Sequence, residues 1–263
     1  MNPVAGNLLL CAAAVALYFA AVMAASFRLH NHSIVDIFWG PGFVMVAAIS
    51  YLASMHSGGD PVRRGTVLVL TAIWGLRLGA YIGRRNAGHG QDARYTALLS
   101  GRTHGLVGYV VRTIYGPQAV ILYIVSLPVQ IAMYQHAPLG AAGIAGIIVW
   151  GVGFAFESVG DAQLARFKKD PANAGRVMDR GLWAWTRHPN YFGDCCVWFG
   201  LWLLALGYPL GILTVVSPLL MTYFLLNVTG KALLEKGLRR SRGAAYDDYV
   251  ARTSGFFPRP PRR

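Results

Sequence analysis

The sequence predicts an all-α fold, a polytopic membrane helix bundle of about seven transmembrane helices. Of its 263 residues, 55% are hydrophobic and only 13% are charged, which is too apolar for an ordinary soluble domain. Seven apolar runs also approach the roughly 20 residues that a spanning helix needs. These runs cover residues 5–27, 34–54, 66–83, 107–134, 138–156, 192–207 and 209–227.

The first and the last runs need separate justification. The run 5–27 lacks a small-residue cleavage motif and is longer than the apolar core of a signal peptide, so we expect it to remain as a helix. The last two runs fit a spanning helix least well, because Pro209 and Pro218 interrupt them. No repeat or linker divides the chain, and we therefore expect residues 1–263 to form a single integral membrane domain.

The basic residues predict the orientation of the bundle. The chain has 24 basic and 11 acidic residues, and 20 of the basic ones fall within 84–112, 157–188 and 231–263. These stretches follow the third, fifth and last predicted helices, so they face one side, which the positive-inside rule makes cytoplasmic. The N-terminus is then outside and the C-terminus inside. We expect these charges to contact anionic membrane lipid and an anionic ligand, with no nucleic-acid partner.

Cysteine and histidine residues do not predict a metal site. Cys11, Cys195 and Cys196 lie in apolar runs without a CxxC spacing, and are expected to be small core residues. His30 and His32 are the only close histidine pair, and no third ligand is evident near them in the sequence.

The first candidate for an active-site residue is Asp36. It lies within the apolar stretch 33–40, where a carboxylate is costly enough to require a functional or structural reason.

A second group of polar residues lies in 181–194, where a basic loop enters an apolar run. Pro189 suits the first turn of a helix, and the spacing then places Asn190, Tyr191 and Asp194 on one face. Arg187 and His188 precede that helix, beside its positive end, a position suited to a phosphate. The alternative is a charged interfacial cap with an aromatic belt, although such a cap requires fewer polar groups.

The predicted fifth helix ends with Glu157 and Asp161, which are four residues apart and therefore share a face. Basic residues follow them, namely Arg166, Lys168, Lys169 and Arg176. The carboxylates could accept hydrogen bonds from sugar hydroxyls, and the cations that follow them could pair with phosphates. This combination would suit a dinucleotide. A solvated helix end with ion pairs inside the loop is an equally open alternative.

The predicted third helix carries a polar and aromatic stripe. Its members are Trp74, Arg77, Tyr81 and Arg84. Such a stripe is expected to face protein or a water-filled cavity instead of lipid. Arg84, close to the helix end, has the alternative of extending to the lipid headgroups.

These motifs together resemble a known family. Residues 74–78 (Trp-Gly-Leu-Arg-Leu), 84–86 (Arg-Arg-Asn) and 187–193 (Arg-His-Pro-Asn-Tyr-Phe-Gly) are similar to the bacterial branch of the steroid 5-alpha-reductase family, over nearly the whole chain. The Arg-His-Pro-Asn-Tyr part is shared with sterol reductases and isoprenylcysteine carboxyl methyltransferases. Asp36 and the Arg77 helix favour a reductase, and the tail 246–258 resembles the C-terminal signature of that superfamily.

The resemblance implies a seven-helix protein of the bacterial cytoplasmic membrane that holds NADPH in a cavity open to the cytoplasm. It implies catalytic roles for Asp36 and Tyr81, and substrate contacts for Trp39 and Trp74. The positions that it assigns to the cofactor are Arg77, Arg84, Glu157, Asp161, Lys168, Arg176, Arg187, His188, Asn190, Tyr191 and Asp194. The chain departs from the family at several positions. Asp36 and Asp194 each replace a glutamate and Glu157 an asparagine, and Val35, Trp74 and Lys168 stand where a glutamine, a tyrosine and an arginine are expected.

The implied reaction is reduction of the carbon–carbon double bond of a 3-oxo-4-ene steroid or a similar lipophilic enone. Hydride transfer to the beta carbon places negative charge on the carbonyl oxygen, so a donor aimed at that oxygen lowers the barrier. A neutral Asp36 would be such a donor, whereas Arg77 nearby would favour the ionised form.

Two other functions stay open. The sequence has no GxGxxG motif after a strand, so a cofactor would be held by helix ends and loop arginines, and S-adenosylmethionine would fit a methyltransferase in the same way. A non-enzymatic lipid-binding or transport role is less favoured because the two halves show no internal symmetry. No obligate protein partner is expected.

Overall fold

The computed structural model describes residues 2–101, 104–228 and 230–261, and all regular structure in these ranges is helical. The all-α prediction is therefore confirmed. The helices are α1 (Pro3–Leu29), α2 (Ile34–Ser54), α3 (Pro61–Asn86), α4 (Ala93–Leu99), α5 (Leu106–Ala132), α6 (Ala141–Lys169), α7 (Leu182–Trp185), α8 (Pro189–Ala205), α9 (Ile212–Val228), α10 (Lys231–Arg242) and α11 (Ala244–Arg252).

Five helices in the described ranges are long and apolar enough to cross a membrane, namely α1, α2, α3, α5 and α6. They correspond to the first five predicted runs, and they are helices typical of an integral membrane protein. The last two runs form shorter helices: α8 has 17 residues, and α9 changes from 3-10 to α to π geometry along its length. The seven-span count and the orientation stay predictions.

The chain divides into two compact units. The first unit comprises Met1–Gly140 and Leu204–Thr214, and the second comprises Ala141–Leu203 and Val215–Arg263.

In the first unit, α2 and α3 approach each other through glycine. A Cβ atom added to Gly75 would lie 2.6 Å from the carbonyl oxygen of Gly40, so neither position has room for a side chain. Beside this contact, Phe43 and Trp74 are fully buried and meet edge to face with ring centroids 5.6 Å apart. The glycine contact therefore lets the aromatic residues of two helices form a common core.

Arg63 links the start of α3 to two other segments of the first unit. It lies in the first turn of α3, is only 3% exposed, and donates hydrogen bonds to the carbonyl oxygens of Leu204 (2.6 Å) and Pro138 (2.8 Å). Asp60 caps the same helix by accepting from the backbone N–H of Arg63 at 2.7 Å. The guanidinium thus donates to the carbonyl oxygen of the buried Leu204 near the end of a helix, where backbone acceptors lack intrahelical partners.

In the second unit, α6 and α8 pack through glycines that recur every seven residues. Gly146, Gly153 and Gly160 of α6 lie against α8, and a Cβ atom added to Gly153 would be 2.5 Å from the carbonyl oxygen of Gly193. Small residues permit this close approach between membrane helices, where lipid provides no hydrophobic driving force. The contact places the polar end of α6 next to the start of α8.

Gly153→Ala is expected to destabilise the protein by about 1–3 kcal/mol, because the added methyl group meets backbone atoms of α8 that have no space to move. Gly151→Ala is the matched control, since a Cβ atom there has nothing within 4 Å. Thermal unfolding of the detergent-solubilised protein would measure both. Equal melting temperatures for the two variants would contradict the close contact between α6 and α8.

Candidate functional site

Asp36 lies at the end of a helix. It occupies the first turn of α2, directly after the turn 30–33, and its side chain is 20% exposed. A carboxylate at this position interacts favourably with the positive end of the helix dipole. The position at the helix end therefore lowers the free-energy cost that the sequence suggested for a charge inside an apolar run.

Two side chains of α4 hold the Asp36 carboxylate. The Tyr95 hydroxyl donates to Oδ1 at 2.6 Å, and Arg94 Nη2 donates to Oδ2 at 2.9 Å. A carboxylate that accepts from a phenol and a guanidinium has the arrangement of an ionised group. The sequence left both the neutral and the ionised form of Asp36 open, and this arrangement fits the ionised one.

Asp92 completes this group, which we call the Asp36 cluster (Asp36, Asp92, Arg94 and Tyr95). Asp92 caps α4 and accepts from Arg94 Nε at 3.0 Å and Nη2 at 3.1 Å. The hydrogen bond from Arg94 holds the pKa of Asp92 below its usual value, and the same bond raises the pKa of Arg94. Burial, followed by the Asp36 charge, raises the pKa of Tyr95. Tyr95 therefore keeps its proton and Arg94 its charge.

The loop before α4 is tied to the turn before α2. The backbone N–H of His32 donates to Gln91 Oε1 at 2.9 Å, and that of Asp92 donates to Ser33 Oγ at 3.2 Å. These bonds fix where α4 begins, and hence where Arg94 and Tyr95 meet Asp36.

The aromatic residues expected to contact substrate belong to one packed group. Trp74 is fully buried against Phe43, and Trp39 meets Phe43 edge to face at 5.5 Å. Trp39 is half-buried, so of the two tryptophans it retains an accessible surface. The substrate contacts of both stay predictions.

The polar stripe of α3 does not supply the residues that contact Asp36. The Arg77 guanidinium lies 5.2 Å from the ring centroid of Tyr81, and Arg84 is exposed near the helix end. The tyrosine and arginine that contact Asp36 are Tyr95 and Arg94, whereas the sequence suggested Tyr81 and Arg77. Their catalytic and cofactor roles stay predictions.

In the second unit, α6 and α8 bring together three of the predicted cofactor residues. Glu157 and Asp161 are each 3% exposed, which argues against the alternative of a solvated helix end. Asn190 Nδ2 donates to Asp161 Oδ1 at 3.2 Å. The close packing of Gly160 against Pro189 and Asn190 allows this contact.

The remaining predicted cofactor residues of this unit lie around that pair or beyond it. Lys168 and Arg176 are exposed, after the buried part of α6. Tyr191 stacks on His188 with ring centroids 5.3 Å apart and planes 2° from parallel, and Asp194 is half-buried in α8. Among the described residues of this unit, Lys168 and Arg176 are thus the predicted cofactor cations that face solvent.

Arg187 and His188 contact a carboxylate that the sequence analysis did not single out. Arg187 Nε donates to Glu235 Oε1 at 3.0 Å, and His188 Nε2 lies 3.0 Å from the same oxygen. Burial lowers the pKa of His188, so a neutral ring donates through Nε2. Burial would raise the pKa of Glu235, but the bonds from His188 and Arg187 outweigh it and lower the value to about 2. Instead of facing a phosphate, both side chains are engaged by Glu235.

The same motif holds the C-terminal signature in place. Arg187 Nη1 donates to the Thr253 carbonyl at 2.9 Å, and Thr186 Oγ1 donates to that of Phe256 at 2.7 Å. The Tyr249 hydroxyl donates to the carbonyl of Trp183 at 2.6 Å. The two sequence signatures are therefore in direct contact in the fold.

One comparison with known proteins gives a match. The model of a family described as "Protein of unknown function (DUF1295)" matches residues 22–253. No curated protein and no solved structure matches the chain.

Glu235 is expected to make stability depend on pH. Its folded pKa of about 2 lies below the usual 4.5, so its contribution is complete above pH 4.5 and is lost as the pH falls toward 2. Across this window the melting temperature of the wild type should fall more steeply than that of Glu235→Gln. Asp247→Asn is the control, because its ion pair with Arg239 is exposed. Parallel profiles for the wild type and Glu235→Gln would rule out this role.

Proposed function

We propose that this chain, which belongs to the DUF1295 family of proteins of unknown function, is an NADPH-dependent reductase of lipophilic enones. The reaction is reduction of the carbon–carbon double bond of a 3-oxo-4-ene steroid or a similar molecule. The proposal rests on the Asp36 cluster. In this cluster an arginine and a tyrosine hydroxyl donate hydrogen bonds to a carboxylate at the end of a membrane helix. The sequence resemblance to the steroid 5-alpha-reductase family supports the same reaction.

The chemistry requires stabilisation of negative charge on the carbonyl oxygen. Hydride addition to the beta carbon moves the double-bond electrons toward that oxygen, and the alpha carbon then takes a proton from water. Arg94 is suited to donate a hydrogen bond to this carbonyl oxygen. Asp36 and Asp92 fix its Nε and Nη2, while its Nη1 has no hydrogen-bond partner among the described residues. A preorganised donor of this kind acts mainly in the transition state. Asp36 therefore positions Arg94 and Tyr95.

The surroundings of Asp36 support a substrate that arrives through the bilayer. Phe38, in the same turn of α2, is 39% exposed, and Trp39 follows it. An apolar molecule dissolved in the membrane meets this surface without crossing water. A water-soluble substrate would gain less free energy from binding to this apolar surface.

The residues of the second unit fit a dinucleotide. The carboxylates of Glu157 and Asp161 can accept from ribose hydroxyls, and Asn190 offers an amide beside them. Lys168 and Arg176 are exposed cations suited to phosphates. Arg187 and His188 do not fit a phosphate, because Glu235 engages them. When bound, NADPH supplies the hydride.

Purified protein is expected to oxidise NADPH when a 3-oxo-4-ene steroid is added, and Asp36→Asn is expected to reduce kcat by roughly 100-fold or more. The amide keeps the shape of Asp36 but loses the charge that holds Arg94. Affinity for NADPH should be unchanged. The measurement is cofactor oxidation, with product analysis for the saturated ketone.

Asp60→Asn is the matched control for this experiment. Asp60 caps α3 and does not contact the Asp36 cluster, and asparagine is an equally good cap, so activity should persist. Full activity of Asp36→Asn would remove this residue from the mechanism. Absence of reduction by the wild type, with methyl transfer from labelled S-adenosylmethionine, would overturn the assignment in favour of a methyltransferase.

Asn190→Ala is expected to raise the dissociation constant for NADPH by about tenfold, because it removes a hydrogen-bonding amide beside Asp161. The control is Asn227→Ala, an exposed asparagine of α9 whose side chain donates to the carbonyl of Tyr223. Equilibrium titration with NADPH would compare them. An unchanged affinity in Asn190→Ala would place the cofactor elsewhere.

A further inference from the structure

Asn31 lies in the turn 30–33 between α1 and α2, at a position that the end of α1 defines. The backbone N–H of Asn31 donates to the carbonyl oxygen of Ser26 at 3.0 Å. The backbone N–H of His30 donates to the carbonyl oxygen of Phe27, which completes a Schellman motif. His30 has the left-handed conformation of this motif (φ 51°), which is uncommon for a residue other than glycine. Strain of this kind persists where the surrounding structure fixes the backbone, and it is concentrated at functional sites.

The side chain of Asn31 bonds to this turn and also to the loop before α4. Its Oδ1 accepts from the backbone N–H of Ser33 at 3.0 Å and from the Ser33 hydroxyl as well. Its Nδ2 donates to the carbonyl oxygen of Gly90 at 3.2 Å. Both lone pairs of the amide oxygen are thus used inside the turn, while the amide nitrogen reaches across to the loop.

The bond from the Ser33 hydroxyl to Asn31 decides how Ser33 meets the loop. A hydroxyl has one proton to donate and two lone pairs with which to accept. Because the proton of Ser33 goes to Asn31, its Oγ presents a lone pair to the backbone N–H of Asp92, at 3.2 Å. Without Asn31 this hydroxyl would be free to rotate, including to positions in which its proton faces that N–H. Asn31 therefore orients the acceptor that anchors Asp92.

Asp92 in turn fixes Arg94. Its Oδ1 accepts from the backbone N–H of Arg94 at 2.8 Å and from Nε at 3.0 Å, and its Oδ2 accepts from Nη2 at 3.1 Å. The same carboxylate thus holds both the backbone and the guanidinium of Arg94. A displacement of Asp92 therefore changes the direction in which Nη1 of Arg94 points.

We infer that Asn31 is a positioning residue for Arg94. It acts through Ser33 and Asp92, whose hydrogen bonds lead from the turn to the guanidinium. This inference rests on the proposed reductase function, in which Nη1 of Arg94 donates to the carbonyl oxygen of the enone. A donor stabilises the developing charge only when it points at that oxygen, so a small displacement lowers kcat.

The first test compares Asn31→Ala, Ser33→Ala and the double variant, with kcat and KM measured for NADPH-dependent reduction of a 3-oxo-4-ene steroid. Each single variant is expected to lower kcat roughly 10- to 100-fold. The KM for the steroid should be unchanged, because neither side chain belongs to the apolar surface that we propose for the substrate. The double variant is expected to be no slower than the slower single variant, because both side chains act along one route.

His30→Gly is the matched control. His30 lies in the same turn, its side chain is exposed, and glycine adopts the left-handed conformation without strain. The expected kcat is that of the wild type.

The second test does not depend on turnover. Hydrogen exchange of the segment 90–99 is expected to be several-fold faster in Asn31→Ala than in the wild type, because the backbone N–H of Asp92 loses its oriented acceptor. In His30→Gly the exchange should be unchanged. Equal exchange in Asn31→Ala and the wild type would show that Asn31 does not hold this segment, and the inference would be wrong.

The kinetic outcomes separate this inference from the reductase function. If the wild type reduces the enone and Asn31→Ala melts at a lower temperature with unchanged kcat, Asn31 is purely structural, and the inference fails while the reductase function stands. If the effects of the two single variants multiply in the double variant, Asn31 does not act through Ser33, and the inference is again wrong. If the wild type reduces no enone, the proposed function fails, and the inference fails with it.

Discussion

Hydrocarbon offers no hydrogen bonds, and this constraint decides where the polar side chains of the protein lie. Asp36 and Arg63 are both close to a helix end, and both are matched by partners. Asp36 accepts from Arg94 and Tyr95 at the start of α2, and Arg63 donates to the carbonyl oxygens of Leu204 and Pro138 at the start of α3. A charge without such partners would cost several kcal/mol. Polar clusters therefore form where short segments return to a helix end.

Glycine contacts determine how accurately these clusters are placed. In the second unit, a Cβ atom on Gly160 would lie 3.1 Å from Pro189 Cγ, so a side chain there would require the start of α8 to shift. The bond of 3.2 Å between Asn190 and Asp161 spans the same contact. In lipid, packing of this kind replaces the hydrophobic effect as the force between helices. A larger residue would separate the polar pair as well as the helices.

Hydrophobic runs were sufficient to predict five long helices, because bilayer thickness fixes their length. The helix α4 was missed, since seven residues in a glycine-containing loop give no periodic signal. Its contacts with Asp36 join residues that are 58 and 59 positions apart in the sequence. Such long-range contacts depend on how the loop folds back. Arg187 was assigned to a phosphate because a guanidinium recognises carboxylates and phosphates alike. Glu235 did give one signal, as the only acidic residue between 231 and 246.

The charges around Asp36 limit how the cluster can act on a carbonyl group. Asp36 and Asp92 carry two negative charges, while Arg94 carries one positive charge. Their sum is −1, so the cluster does not attract an enolate through net charge. Stabilisation has to come from donors with fixed directions, which cost no reorganisation when the charge develops. Asp36 already accepts two hydrogen bonds from its neighbours, and it therefore acts by holding donors in position.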